Sequence, residues 1–210
     1  MNQILYLPVS IGEAIDKLSI LDIKKEKITD GQKKTEVSKE FDLLSEKLKE
    51  FIHNHERLYD AMKKINLIIW DQMNILRDGD KNDKHYLELC RECIVFNDIR
   101  FRIKNKINLA TRSTIKEQKS YRVNALVLSI DQDVQQDSIL LKLIEALSYA
   151  YDGLEIHSDG NIDEIKVRFL YDSTILFGKN PSGIELHLDE ENYQKYLEEN
   201  KIVGKIFELI

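Results

Sequence analysis

Two sets of polar residues recur at helical spacing. Glu13, Lys17 and Lys24 fall on one face of a helix predicted near the start of the chain. Asn97, Arg100, Lys104 and Asn108 fall on one face of a later one, at spacings of three, four and four. If the two faces oppose each other, the cations and amides converge. Arg and Lys hold anions by charge-assisted hydrogen bonds, so such a site would suit a phosphate, a carboxylate or a nucleotide-sugar diphosphate. The plainer alternative is that both stripes face water, as charged helix faces usually do.

The other groups capable of chemistry have simpler readings. Cys90 and Cys93 form a lone CxxC. Zinc wants four ligands and only His85 is near, while a redox CxxC opens a helix after a strand; this one sits inside a helix pattern and reads as ordinary thiols. His53 and His55 stand two residues apart, on opposed faces of a helix, and read as turn residues rather than metal ligands with Glu56. His157 and His187 fall in predicted strands, each expected to be satisfied by a neighbour. Glu36 with Glu40 and Glu46 with Glu50 have the spacing of carboxylates that hold magnesium in helical pyrophosphatases. Lys39, Lys47 and Lys49 lie among them, and a solvated face is the better reading. Gly178 and Gly183 lack the Lys-Ser/Thr of a phosphate loop and mark a turn. These residues give no reason to expect a metal or a cofactor.

The elements that must position the polar stripes are helical. Ser10 to Glu13 fits a capping box, and the first helix is expected from about 11 to 29, ending near Asp30-Gly31. Val37, Phe41, Leu44, Leu48 and Phe51 form an apolar seam, and the rhythm resumes from Leu58 through Ile65 to Leu76. His53 to Glu56 is polar, and two helices are expected on either side of it. The loop at 78–83 precedes a helix over about 84–110, with Phe96, Ile99, Ile103 and Ile107 on its apolar side.

The last ninety residues change period. Val123 to Ile130 reads as a buried strand, and Asp137 can cap a helix to Ala150. Leu154 to His157 reads as a strand, and Asp159-Gly160 as a hairpin turn. Ile165 to Tyr171 alternates and is expected to be a half-buried strand. Strands at 174–177 and 184–188, a helix at about 189–200 and a closing strand at 202–209 complete the pattern. Because the connections are short, part of the sheet is expected to be antiparallel.

Composition bounds the rest. In 210 residues there are 31 Lys and Arg against 37 Asp and Glu, a net charge of −6. The charge divides unevenly: residues 1–120 carry +3 and residues 121–210 carry −9, which suggests two surfaces and two domains, 1–122 and 123–210. The basic segment 97–122 keeps an anion site in view, but the acidic whole opposes nucleic-acid binding. No run of eighteen apolar residues and no signal h-region is present, so a cytoplasmic protein without a membrane span is expected. The fold class expected is α+β: an antiparallel helical hairpin or bundle followed by a small mixed α/β domain.

Several segments resemble a known family. Pro8 through Lys24 (PVSIGEAIDKLSILDIK), Asn66 through Asp71, Asn97-Asp98-Ile99-Arg100 with Lys104 and Asn108, and Glu117 through Tyr121 are similar, in order and spacing, to an uncharacterised helical domain family of bacteria and viruses. The resemblance covers about residues 4–122. It implies a glycan-synthesis context, since members are often encoded beside or fused to sugar-transfer enzymes. It also raises Glu13, Asp16, Lys17, Lys24, Asn97, Arg100, Lys104, Asn108, Glu117, Lys119 and Tyr121 together. Either these residues bind something, or they form a buried network that fixes helix register.

Two function classes follow. In the first, the protein binds an anionic ligand, a nucleotide sugar or sugar phosphate, through Lys17, Lys24, Asn97, Arg100, Lys104, Asn108 and Lys119. Glu13, Asp16 or Tyr121 would then be the acid or base if chemistry occurs. In the second, it is a scaffold: the seam over 37–76 pairs with a second copy, or with a glycosyltransferase partner.

Overall fold

The computed structural model describes residues 5–79, 84–120, 124–131, 136–178, 184–188 and 192–210. The chain divides into two compact units, Met1–Gln118 and Lys119–Ile210. The architecture is α+β, and no described helix is long and apolar enough to cross a membrane.

The first unit holds four helices: α1 (Ile11–Lys27), α2 (Gly31–Asn54), α3 (Glu56–Asp78) and α4 (Lys84–Ala110). α1 begins where the Ser10 hydroxyl accepts from the Glu13 backbone N–H at 3.1 Å. It packs against all three other helices and buries Ile15, Leu18, Leu21 and Ile23. Gly12 meets Asn108, Glu13 meets Lys104 and Asp16 meets Arg100, so α1 runs antiparallel to α4. Phe96, Ile99, Ile103 and Ile107 of α4 are fully buried, as their spacing predicts.

α2 and α3 are separate helices, as the polar His53–Glu56 stretch suggests. The break needs neither Gly nor Pro. His55 leaves helical geometry at φ −138° and ψ 41°, and its N–H closes the last turn on Phe51 and Ile52. Its imidazole packs against the Phe51 ring at 4.8 Å.

The apolar seam packs in part inside the unit. Val37, Phe41 and Leu44 are half-buried, Leu48, Ala61, Met62 and Ile65 are buried, and Lys25 of α1 lies over the Phe41 ring at 3.8 Å. α1 lies against part of this seam.

The second unit is a four-stranded sheet with helices. Its elements are β1 (Ala125–Ile130), α5 (Ser138–Ala150), β2 (Gly153–Ser158), α6 (Asp163–Arg168), β3 (Ile175–Phe177), β4 (Ile184–Leu188), α7 (Tyr193–Glu199) and α8 (Lys201–Leu209). The strand order is β3-β2-β1-β4 and every pairing is parallel. The expected antiparallel part is therefore corrected, and the reason is local. Residues 165–171 do not form a strand after a hairpin. Ile162, Ile165 and Phe169 are buried at spacings of three and four while Val167 and Tyr171 are exposed, which is the pattern of one helical face. The chain thus turns into α6, and β2 reaches β3 through a crossover rather than a hairpin. The closing strand expected at 202–209 is also a helix. Val203 and Ile206 are buried, and the Asn200 side chain accepts from the Val203 N–H at 3.3 Å to start α8.

Candidate functional site

The polar residues of α1 and α4 do meet, but they meet each other. Arg100 grips Asp16 with two hydrogen bonds, Nε to Oδ1 at 2.8 Å and Nη2 to Oδ2 at 2.5 Å. The Asp16 side chain is 4% exposed. Oδ1 also accepts from Asn66 Nδ2 of α3 at 2.8 Å, and the same amide nitrogen reaches the Ser19 hydroxyl at 2.8 Å. Ser19 in turn donates to the Asp16 carbonyl. One buried carboxylate thus ties α1, α3 and α4 into a single register. Charge-assisted, bidentate pairing is the strong form of such a contact.

About one turn along α4, Lys104 sits between two carboxylates. Its ammonium lies 2.6 Å from Glu13 Oε1 and pairs also with Glu117, in the segment after α4. Burial pulls the Lys104 pKa down, but hydrogen bonds to Glu117 and Glu13 outweigh it and leave the pKa above its ordinary value. Arg100 is likewise held above its ordinary value, first by the hydrogen bonds to Asp16. Farther along, Asn108 Oδ1 accepts from the Gly12 backbone N–H at 2.8 Å. A glycine is required there. A Cβ on residue 12 would stand 2.5 Å from the Lys104 carbonyl oxygen and 3.0 Å from Asn108 Oδ1.

The remaining stripe residues go elsewhere. Lys17 turns to α2 and pairs with Glu40 at 2.6 Å in an exposed position. Lys24 is half-buried and has no partner among the described residues. Asn97 Nδ2 donates back to the Cys93 carbonyl of its own helix at 2.9 Å. Lys119 belongs to the second unit, and Tyr121 lies outside the described residues. Ser19 and Gly12 were not singled out from their residue types. Ser19 stands three residues after Asp16 on the same face, which is the one signal that could have found it.

The basic segment is less available than its composition suggests. Arg102, Lys104 and Lys106 are buried, so they do not present charge to a phosphate backbone. Cys90 and Cys93 are free thiols inside α4, and burial pushes the Cys93 thiol up. Among the described residues, no group of three His, Cys, Asp or Glu is placed to hold a metal ion. Glu36 and Glu46 pair with Lys39 and Lys49 on the solvated face of α2. An open cleft of about 480 Å³ lies over the α2–α3 break, lined by Glu46, Lys49, Ile52, His53 and Glu56 among others.

A family model covers residues 5–133, more than half of the chain. The chain belongs to the family of unknown function DUF6165. No curated protein and no solved structure matches it. The DUF6165 segment contains every member of the α1–α3–α4 network and runs on through β1, past the limit near residue 122 that the motifs alone suggested.

Proposed function

We propose that the protein is a non-enzymatic binding module, a helical scaffold that engages a protein partner. One observation carries this reading: Arg100 and Lys104, the two stripe cations on α4, are already neutralised by Asp16, Glu13 and Glu117. To reach Arg100 a phosphate would have to displace the buried, hydrogen-bonded Asp16 carboxylate, and breaking a buried pair costs about 3–5 kcal/mol. The network sets the register of the bundle, and function then falls to its surface. Leu5, Tyr6, Leu7 and Val9 precede α1 outside any helix or strand, with their side chains exposed. A run of exposed apolar side chains is suited to docking on another protein. The family resemblance suggests the partner class, a sugar-transfer enzyme.

The test is a thermal-shift screen against nucleotide sugars, nucleoside diphosphates and sugar phosphates, alongside gel filtration with a sugar-transfer enzyme from the same organism. No ligand should raise Tm through Arg100: any shift should be the same in wild type and in Arg100→Gln. A complex should form with wild type and be lost in Leu5→Asp/Leu7→Asp, whose own Tm stays unchanged. A nucleotide sugar that raises Tm in wild type and not in Arg100→Gln would overturn the scaffold reading in favour of an anion site. Absence of a complex would overturn the partner.

A further inference from the structure

In-register parallel strands point paired residues to the same face of a sheet. Ser129 of β1 pairs with His157 of β2 on one side and with His187 of β4 on the other. The three side chains therefore form a row across one face, one residue short of the carboxyl ends of their strands. Two carboxylates join them. Glu155 Oε1 lies 2.9 Å from His157 Nε2, and Asp131 Oδ1 lies 3.1 Å from His187 Nε2. Beneath the row, on the same face, Val127 is buried.

The position of the row matters as much as its content. The sheet grows from β1 through β2 to β3, and the chain then returns to the opposite side of β1 as β4. In open parallel sheets, ligands bind in the crevice outside the carboxyl ends of the strands where the order reverses. That reversal lies between β1 and β4, and the Asp131–His187 pair spans it.

We propose that this row is a binding site for a small hydroxyl-rich ligand, recognised through a vicinal diol. The chemistry follows from the tautomers. A carboxylate on Nε2 fixes the proton there and leaves Nδ1 as an acceptor. Neither imidazole has another partner among the described residues. The face therefore offers imidazole and carboxylate acceptors on either side of Ser129. No described strand position carries a Lys or Arg, so the strands themselves offer a phosphate no cation. A diol supplies two donors at the spacing of adjacent hydroxyls and can accept in return. Gly178 is part of the construction. A Cβ on residue 178 would stand 2.8 Å from Glu155 Oε1, the atom that buttresses His157.

A vicinal diol can come from the ribose of a nucleoside or from a free monosaccharide. The experiment records the imidazole ¹H–¹⁵N NMR spectrum of the full chain during titration with uridine, adenosine, glucose and galactose. Dideoxyuridine, spermidine and inorganic phosphate serve as controls. His157 and His187 should shift saturably with the nucleosides or with the monosaccharides, and which set does so identifies the source. Dideoxyuridine should have no effect. Affinity should fall tenfold or more in His187→Gln and in His157→Gln, and stay unchanged in His53→Gln. No shift with any diol at millimolar concentration overturns the proposal. So does an equal response to dideoxyuridine, a response to spermidine or phosphate alone, or binding that survives both variants.

Discussion

Arg100 and Asp16 are 84 residues apart in the chain, yet the guanidinium covers both oxygens of the carboxylate across the α1–α4 contact. Asp16 is almost wholly buried and Arg100 is about one quarter exposed. Removing the cation strands the anion. Arg100→Ala should lower the stability of the first unit by about 3–5 kcal/mol, read as a fall in the urea midpoint. The exposed Lys17–Glu40 pair is the control: Lys17→Ala should cost less than about 1 kcal/mol. A double change to apolar residues, Asp16→Leu/Arg100→Met, should recover much of the loss, because no buried charge is then left alone. Equal effects of Arg100→Ala and Lys17→Ala would show that burial does not set the worth of the pair.

Gly12 lies in the first turn of α1, where alanine is normally the better helix former by about 1 kcal/mol. The close approach of α4 reverses that preference. The new methyl would meet the Lys104 carbonyl at 2.5 Å, and neither backbone can yield without parting the helices. Gly12→Ala should therefore destabilise by about 1–3 kcal/mol. Gly31, in the first turn of α2, has nothing within 4 Å of the same position, and Gly31→Ala should be neutral or stabilising. Paired denaturation curves of the two variants check the sign, which propensity alone would make the same.

These two residues show what a sequence displays and what it hides. The stripe over Asn97, Arg100, Lys104 and Asn108 was legible because helical spacing puts those residues on one face whatever the fold. What they face was not legible. Asp16 and Arg100 are neighbours only after α1 packs antiparallel to α4, and nothing in either segment says that the acid neutralises the base. The helix break at His55 was visible as polarity, since apolar side chains on either side lose their partners there. The parallel sheet was not visible. Ile165, Val167, Phe169 and Tyr171 satisfy a period of two as well as Ile162, Ile165 and Phe169 satisfy a helical one, and only the burial of the second set decides. The row of His157, Ser129 and His187 was hidden for the same reason: it exists only when three strands run in parallel register.

Stability should decline on the alkaline side. Lys104 is pulled down by desolvation but raised overall by Glu117 and Glu13, and Lys63 is pulled down by desolvation but raised overall by Asp22 and Glu26. Tyr59 is raised by burial, by the charge of Asp22 and by donating to Asp22 Oδ2 at 3.0 Å. In each case the folded chain keeps a proton that the unfolded chain releases. The contribution is therefore complete below the ordinary values, 10.0 for Tyr and 10.5 for Lys, and is lost as pH rises through the folded ones. Unfolding free energy should fall with pH above about 10, less steeply in Lys104→Met and in Tyr59→Phe. Phenolate absorbance supplies an independent reading: Tyr59 should ionise together with unfolding and not before it. An unchanged slope in Lys104→Met would mean that its two carboxylates hold it no better than water does.

Asp137 tests the second unit by itself. Its side-chain oxygen accepts from the N–H groups of Ile139 and Leu140, each at 2.9 Å, and its backbone is extended, as an N-cap requires. α5 carries no acidic residue in its first turn, so nothing else offsets the free amides there. The helix also fills the core: Leu140, Leu143, Ile144 and Leu147 are all buried. Fraying the start of α5 therefore loosens Leu140 first. Asp137→Ala should cost about 1 kcal/mol, and Asp137→Ser, which keeps an acceptor at the cap, only a fraction of that. Hydrogen exchange at the first two turns of α5 should quicken in Asp137→Ala and stay near wild type in Asp137→Ser. Were both variants equally quick, the carboxylate charge near the helix dipole would be the stabilising element, rather than the hydrogen bonds at the cap.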